Sequence, residues 1–156
     1  MRPLFLIAAM SACVVTFAKP IQLQVSTFDP EISTPSFRGS LMTADFQETG
    51  LFLVQTNGLV TDAFRQRLTE SGATVLDYYP QDTLLVRGNR NSLQVVSGVA
   101  WVGPFHPAFR IDPMLGKTNV KGAALLANRK RGLFKVTIAL TKDAQIDITR
   151  AMLDTL

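Results

Sequence analysis

The chain is poor in the residues that build metal and redox sites. It carries one cysteine, Cys13, and one histidine, His106, among 156 residues. A structural zinc site needs about four nitrogen or sulfur ligands, and a disulfide framework needs an even set of cysteines. Both classes are excluded. Charge is sparse at 18%, and the net charge of +4 is mild and partly concentrated in one linker. That is not the footprint of a nucleic-acid binder. Aromatic and basic residues do not interleave on a strand as they do in single-strand binders. No phosphate loop, metal motif or dinucleotide fingerprint occurs, so no cofactor is expected. His106 has Asp112 nearby in sequence but no matched acid–base constellation, and no enzymatic centre is read from it. Apolar residues make up 47% of the chain, enough for one globular domain and too many for global disorder.

What is present begins with an export signal. Residues 1–18 have a basic start at Arg2, an apolar run, and the close Thr16-Phe17-Ala18. The run is too short and wrongly flanked for a membrane span, and cleavage is expected after Ala18. A second export reading takes Met10-Ser11-Ala12-Cys13 as a lipobox, with Cys13 lipidated. Either route delivers the chain outside the cytoplasm, secreted or periplasmic, with no stable span in the mature protein. Residues 19–49 hold three prolines and many Ser and Thr residues, and read as an irregular arm. Phe28, Phe37, Leu41 and Phe46 are apolar enough to dock on the domain that follows.

Residues 50–111 carry the regular pattern. LFLVQT is a strand-length run that ends at the turn Asn57-Gly58. Thr61 can cap a helix with Asp62 in its first turn, Phe64 and Leu68 on one face, and Gly72 as its stop. ATVLDYY and TLLVRG are strands joined by Pro80-Gln81-Asp82. Asn89 or Asn91 starts a short helix with Leu93 and Val96 inward and Gly98 at its end, and VAWVG is the fourth strand. Strand, helix, strand, strand, helix, strand predicts an α+β, ferredoxin-like βαββαβ unit: a four-stranded antiparallel sheet with two helices on one face. The two central runs are apolar on both faces, since Leu51 and Leu53 point opposite to Phe52 and Val54. A sheet face in water should alternate with polar residues. The open face must therefore be covered, either by the arm or tail of the same chain or by a partner protein.

These residues also carry a family likeness. Val60-Thr61-Asp62, Gly72-Ala73, Tyr79-Pro80, Leu85-Val86-Arg87, Trp101-Val102-Gly103-Pro104-Phe105 and Pro107-Ala108-Phe109-Arg110 follow in one linked order. The series resembles the inhibitor-type N-terminal propeptide domain of secreted subtilisin-like serine proteases. The resemblance implies a prodomain that helps the protease fold and holds it inactive. It implies a subtilisin-like protease domain as partner, in cis or in trans, and an open sheet face that packs on it. Phe52, Val54, Leu85, Trp101 and Val102 are the candidates for that docking face or for the core. Phe105, His106, Pro107, Phe109 and Arg110 form the segment after the fourth strand. In such prodomains a segment following the domain enters the protease cleft. The chain departs from that pattern, because a linker and a further strand and helix follow instead.

Residues 112–131 read as that linker, with Arg129, Lys130 and Arg131 forming either a processing site or a solvated loop tip. Residues 132–156 begin with Gly132-Leu133-Phe134-Lys135-Val136, an echo of Gly50-Leu51-Phe52-Leu53-Val54. They predict a strand over 134–140 and a helix that starts near Asp143. This is either the start of a second similar unit within a longer precursor or an addition to the edge of the first sheet. Neither His-Gly-Thr-His nor Gly-Thr-Ser occurs, so the chain has no protease triad of its own. The expected function is a protease prodomain. A free-standing inhibitor of the same fold and an envelope protein-interaction module are the alternatives.

Overall fold

The structure is a computed structural model that describes residues 18–32, 48–112 and 136–155. It is a mixed α+β chain with a four-stranded antiparallel sheet and few helices. The expected export signal through Phe17, including Cys13, lies outside the described residues, as do Phe37, Leu41, Phe46 and Arg129-Lys130-Arg131.

A short hairpin comes first, β1 (Ile21–Gln22) with β2 (Thr27–Phe28), where irregular chain was expected. Then follow β3 (Thr49–Thr56), α1 (Asp62–Glu70), β4 (Thr74–Tyr79), β5 (Thr83–Asn89), α2 (Arg90–Gln94) and β6 (Val99–Pro104). A 3₁₀ turn (Pro107–Arg110) and α3 (Ile146–Leu153) close the described chain. The strand order is β4-β5-β3-β6, every neighbour antiparallel. Each of the two helical crossings therefore skips over one central strand.

Local chemistry sets the ends of α1. Thr61 is extended, and its hydroxyl accepts from the Phe64 amide at 3.2 Å, which satisfies one orphan donor of the first turn. At the other end Gly72 takes φ +85°. The Gly72 amide then donates to Thr69 O and the Ala73 amide to Leu68 O, the paired bonds of a Schellman stop. Asn89 caps α2 by accepting from Asn91 N at 2.9 Å and Ser92 N at 3.3 Å.

Both helices bury their apolar side against one face of the sheet. Phe64, Leu68 and Leu93 meet Phe52, Val54, Leu84, Val86 and Val102 there, in a closed core. The opposite face, from Leu53, Leu76 and Leu85, is not left to water. Ile21, Leu23 and Phe28 of the arm and Phe105 after β6 lie on it. The bulge between Val75 and Asp77 places one extra residue in β4 opposite β5. It turns the adjacent residues Leu76 and Asp77 toward the same face.

The strand expected over 134–140 is not found in its described part, 136–140. Val136, Ile138 and Leu140 alternate as strand residues do, yet all three are exposed. Alternation suits a pleat, but a strand exists only where a ladder takes up its backbone groups. The helix begins at Ile146 rather than near Asp143, and Ile146, Ile148, Met152 and Leu153 stay exposed.

Candidate functional site

The second face of the sheet brings together the arm, the segment after β6 and the residues leading into α3. Of the five residues expected on the docking face or in the core, Phe52, Val54 and Val102 sit in the helix-side core. Leu85 and Trp101 sit on the second face. The parity of the strands makes this separation inevitable, because neighbours in a strand point to opposite sides.

Trp101 owes its position to Gly103, two residues along the same face. A Cβ placed at Gly103 would lie 2.1 Å from Trp101 Cη2, so the indole occupies the space that only glycine leaves open. Flattened there, Trp101 meets the Phe28 ring edge-on at 6.0 Å. Phe28 stacks on Phe109 at 5.9 Å with the planes 2° apart. Phe109 in turn meets Phe105 at 5.9 Å, and Phe105 meets Tyr79 at 6.1 Å. One chain of rings thus ties the arm, β6, the 3₁₀ turn and β4 together, edge-on and stacked at Phe28 and tilted at Phe105.

The start of the arm is held by a polar clamp. Gln55 is 1% exposed, at the end of the otherwise apolar row Leu51, Leu53, Gln55. Its Oε1 accepts from Lys19 N at 3.0 Å, and its Nε2 donates to Lys19 O at 2.9 Å. Nε2 also donates to Gln81 O at 3.1 Å. The amide imitates a strand partner for Lys19. Lys19 Nζ then reaches Asp82 Oδ2 at 2.7 Å, and Ala18 N donates to Glu31 Oε1 at 2.6 Å. Gln81 and Asp82 both hold left-handed backbone, φ 63° and 54°. The same bonds brace that costly turn from outside.

The post-strand residues are structural in their visible contacts. His106 Nδ1 accepts from Ala108 N at 3.1 Å and caps the 3₁₀ turn, and Pro107 stands at its first position. Arg110 lies 5.6 Å over the Phe105 ring, and its Nη2 donates to Phe105 O at 3.1 Å. Burial and the neighbouring Arg87 guanidinium lower the Arg110 pKa. Arg87 is bound through Nε to Asp143 Oδ2 at 2.5 Å, which holds the Asp143 carboxyl below its ordinary range. Burial, aided by the Asp77 carboxylate, raises the Tyr79 phenol, so it stays a neutral hydroxyl.

Between the sheet and residues 139–144 lies a cavity of about 610 Å³. Leu76, Leu85 and Phe105 contribute to its apolar wall and Arg87, Arg110 and Lys142 its cations. No group of three or more His, Cys, Asp or Glu side chains is placed to hold a metal ion among the described residues. Nor is any described helix long and apolar enough to cross a membrane. Sequence reasoning named Tyr79, Asp82 and Asp143 only for a likeness, a turn and a helix start, and missed Gln55. Gln55 left a signal, as the one amide inside the run LFLVQT.

The domain family DUF8729, described as a domain of unknown function, matches residues 22–106, more than half of the chain. The chain belongs to that family. The matched span starts inside the arm hairpin and ends at His106, so arm and sheet fall within one family unit. No curated protein and no solved structure matches the chain.

Proposed function

We propose that this chain is an exported protein-binding module with a ferredoxin-like core, acting as the prodomain or inhibitor of a subtilisin-like serine protease. Strand order β4-β5-β3-β6 with both helices on one face supports the ferredoxin-like assignment. The observation that carries the binding role is the second face. It is broad and apolar, and its cover is a hairpin that forms its own two-stranded sheet rather than extending the main one. Side-chain contacts and the Gln55 clamp hold that hairpin, so it can lift without breaking a ladder of the main sheet. In this reading Leu85 and Trp101 meet the protease once the arm has lifted. Export with cleavage after Ala18 belongs to the same proposal, and Lys19 would then be the first residue, already seated on Gln55.

The test is inhibition of a subtilisin by the mature chain and by a Phe28→Asp variant whose arm is driven off the face. The mature chain should inhibit at low micromolar concentration or better, the range of specific docking, and the variant more tightly. No inhibition by either would remove the protease reading. A second reading is favoured by the cover itself. With the face already closed by its own arm, the unit serves as an envelope interaction module that binds through other surfaces.

A further inference from the structure

We propose that residues 136–153 form the surface through which two copies of this chain dimerise, with their 136–140 runs paired as antiparallel strands about a two-fold axis at Ile138. This is independent of the protease reading. The run Val136-Thr137-Ile138-Ala139-Leu140 alternates as a strand does, and no charge, proline or glycine interrupts it. Its backbone makes no hydrogen bond to another described residue. Open backbone groups on a run of this composition are a template for a second strand. The helix α3 that follows is apolar along one side. Ile148 and Met152 stand one turn apart there and Ile146 and Leu153 two turns apart, while Asp147, Arg150 and Asp154 lie on the other side. Asp143, between run and helix, is held by Arg87 of β5, so the stretch is anchored to the sheet.

Two features single out a second copy as the occupant. The first is self-complementarity. Antiparallel pairing about Ile138 sets Val136 opposite Leu140 and Ile138 opposite its own counterpart, so aliphatic groups meet across the ladder and no like charges face each other. The α3 stripe can likewise meet an identical stripe without burying a charge. The second is area. The seven large apolar residues of the run and the helix are 42% to 66% exposed. Together they leave roughly 700 Å² open, more than the few hundred Å² of a usual monomer patch and close to the ~800 Å² each partner gives to a standard interface. A lipid surface fits less well, because interfacial helices carry Lys and Arg on their polar side and α3 carries two acids and one arginine there.

The test is the molar mass of the full mature chain by light scattering and sedimentation, over a dilution series. A dimer should form by the micromolar range. Ile138→Lys, which sets two cations against each other at the axis, should weaken association at least tenfold. Ile148→Glu with Met152→Glu should do the same from the helix. These side chains are exposed in the single chain, so circular dichroism should stay unchanged. Cross-linking reads the register. Ile138→Cys should join two copies on oxidation, since residues facing each other across a ladder lie within disulfide reach. Leu59→Cys, on an equally exposed residue outside the surface, should not. The native thiol, Cys13, falls in the expected export signal and does not confuse the result. The proposal is overturned if the chain stays monomeric at about 100 μM, if the dimer survives both sets of substitutions, or if a monomeric chain binds phosphatidylcholine vesicles through the same residues.

Discussion

Both faces of the sheet bury apolar side chains, but they are closed by different means. The helix-side face is sealed by elements that the chain must traverse to connect its own strands, so its cover cannot leave without unfolding the domain. The second face is sealed by a hairpin, a chain of stacked rings and one amide clamp. Burial alone does not distinguish them, since Leu53 on one face and Val54 on the other are each 0% exposed. Permanence comes from connectivity, and the second cover is the one that can open.

That contrast can be broken most directly with a pair of phenylalanines. Phe64→Ala in α1 should cost about 3–5 kcal/mol in urea unfolding, the cost of emptying a closed core. Phe28→Ala in the arm should cost clearly less, because the arm can shift into the gap. Equal losses would mean that the two covers are equally integral. Gly103→Ala sharpens the same point. Its new methyl meets the indole ring, so Trp101 must leave its place, at about 1–3 kcal/mol of overpacking. Trp101 emission should shift to the red while the amides of α1 keep their protection from hydrogen exchange.

Removing the clamp should have a smaller effect. Gln55→Ala leaves the Lys19 backbone groups and Gln81 O without their partner, a loss of about 1–2 kcal/mol. Faster exchange should appear in the arm and in the turn at Gln81, and exchange confined to the global unfolding limit would refute a local role. The smallest effect belongs to Asp143. Its carboxyl titrates below the ordinary range in the folded chain, chiefly because Arg87 donates to it. Its contribution is therefore complete above the pKa of an unfolded aspartate and is lost as pH falls through the lower, folded value. The contact between residues 139–144 and β5 should loosen only in acid, and Asp143→Asn should remove that acid-dependent step in an NMR titration of the Ala144 amide. The pair is exposed enough that salt should weaken it at every pH.

Much of the central unit was legible in the chain itself. Thr61, Gly72 and Asn89 act through their immediate neighbours, and caps and stops of that kind can be read from a few consecutive residues. The parity of Leu51 to Val54 likewise dictated that both faces would need a cover. The identity of the second cover was not legible. Ile21, Leu23 and Phe28 look like residues of an irregular proline-bearing arm, and only their meeting with Leu53, Leu85 and Phe109 gives them a place. The run 136–140 shows the reverse failure, with a strand pattern in the sequence and no ladder to receive it.

Sequence by itself determined the order of strands and helices from Thr49 to Pro104, the caps between them and the double-sided apolar character of the central strands. These follow from backbone preference and from a side-chain period of two, which act over a few residues. Tertiary structure alone decided which segment closes the second face, that Trp101 lies over Gly103, that Gln55 receives Lys19, and that Arg87 and Arg110 share one cavity. Those outcomes depend on groups brought together across 36 residues in the clamp and 56 in the Arg87–Asp143 pair. Contacts of that span are settled by packing and desolvation once the sheet has formed, and no local rule in the chain encodes them.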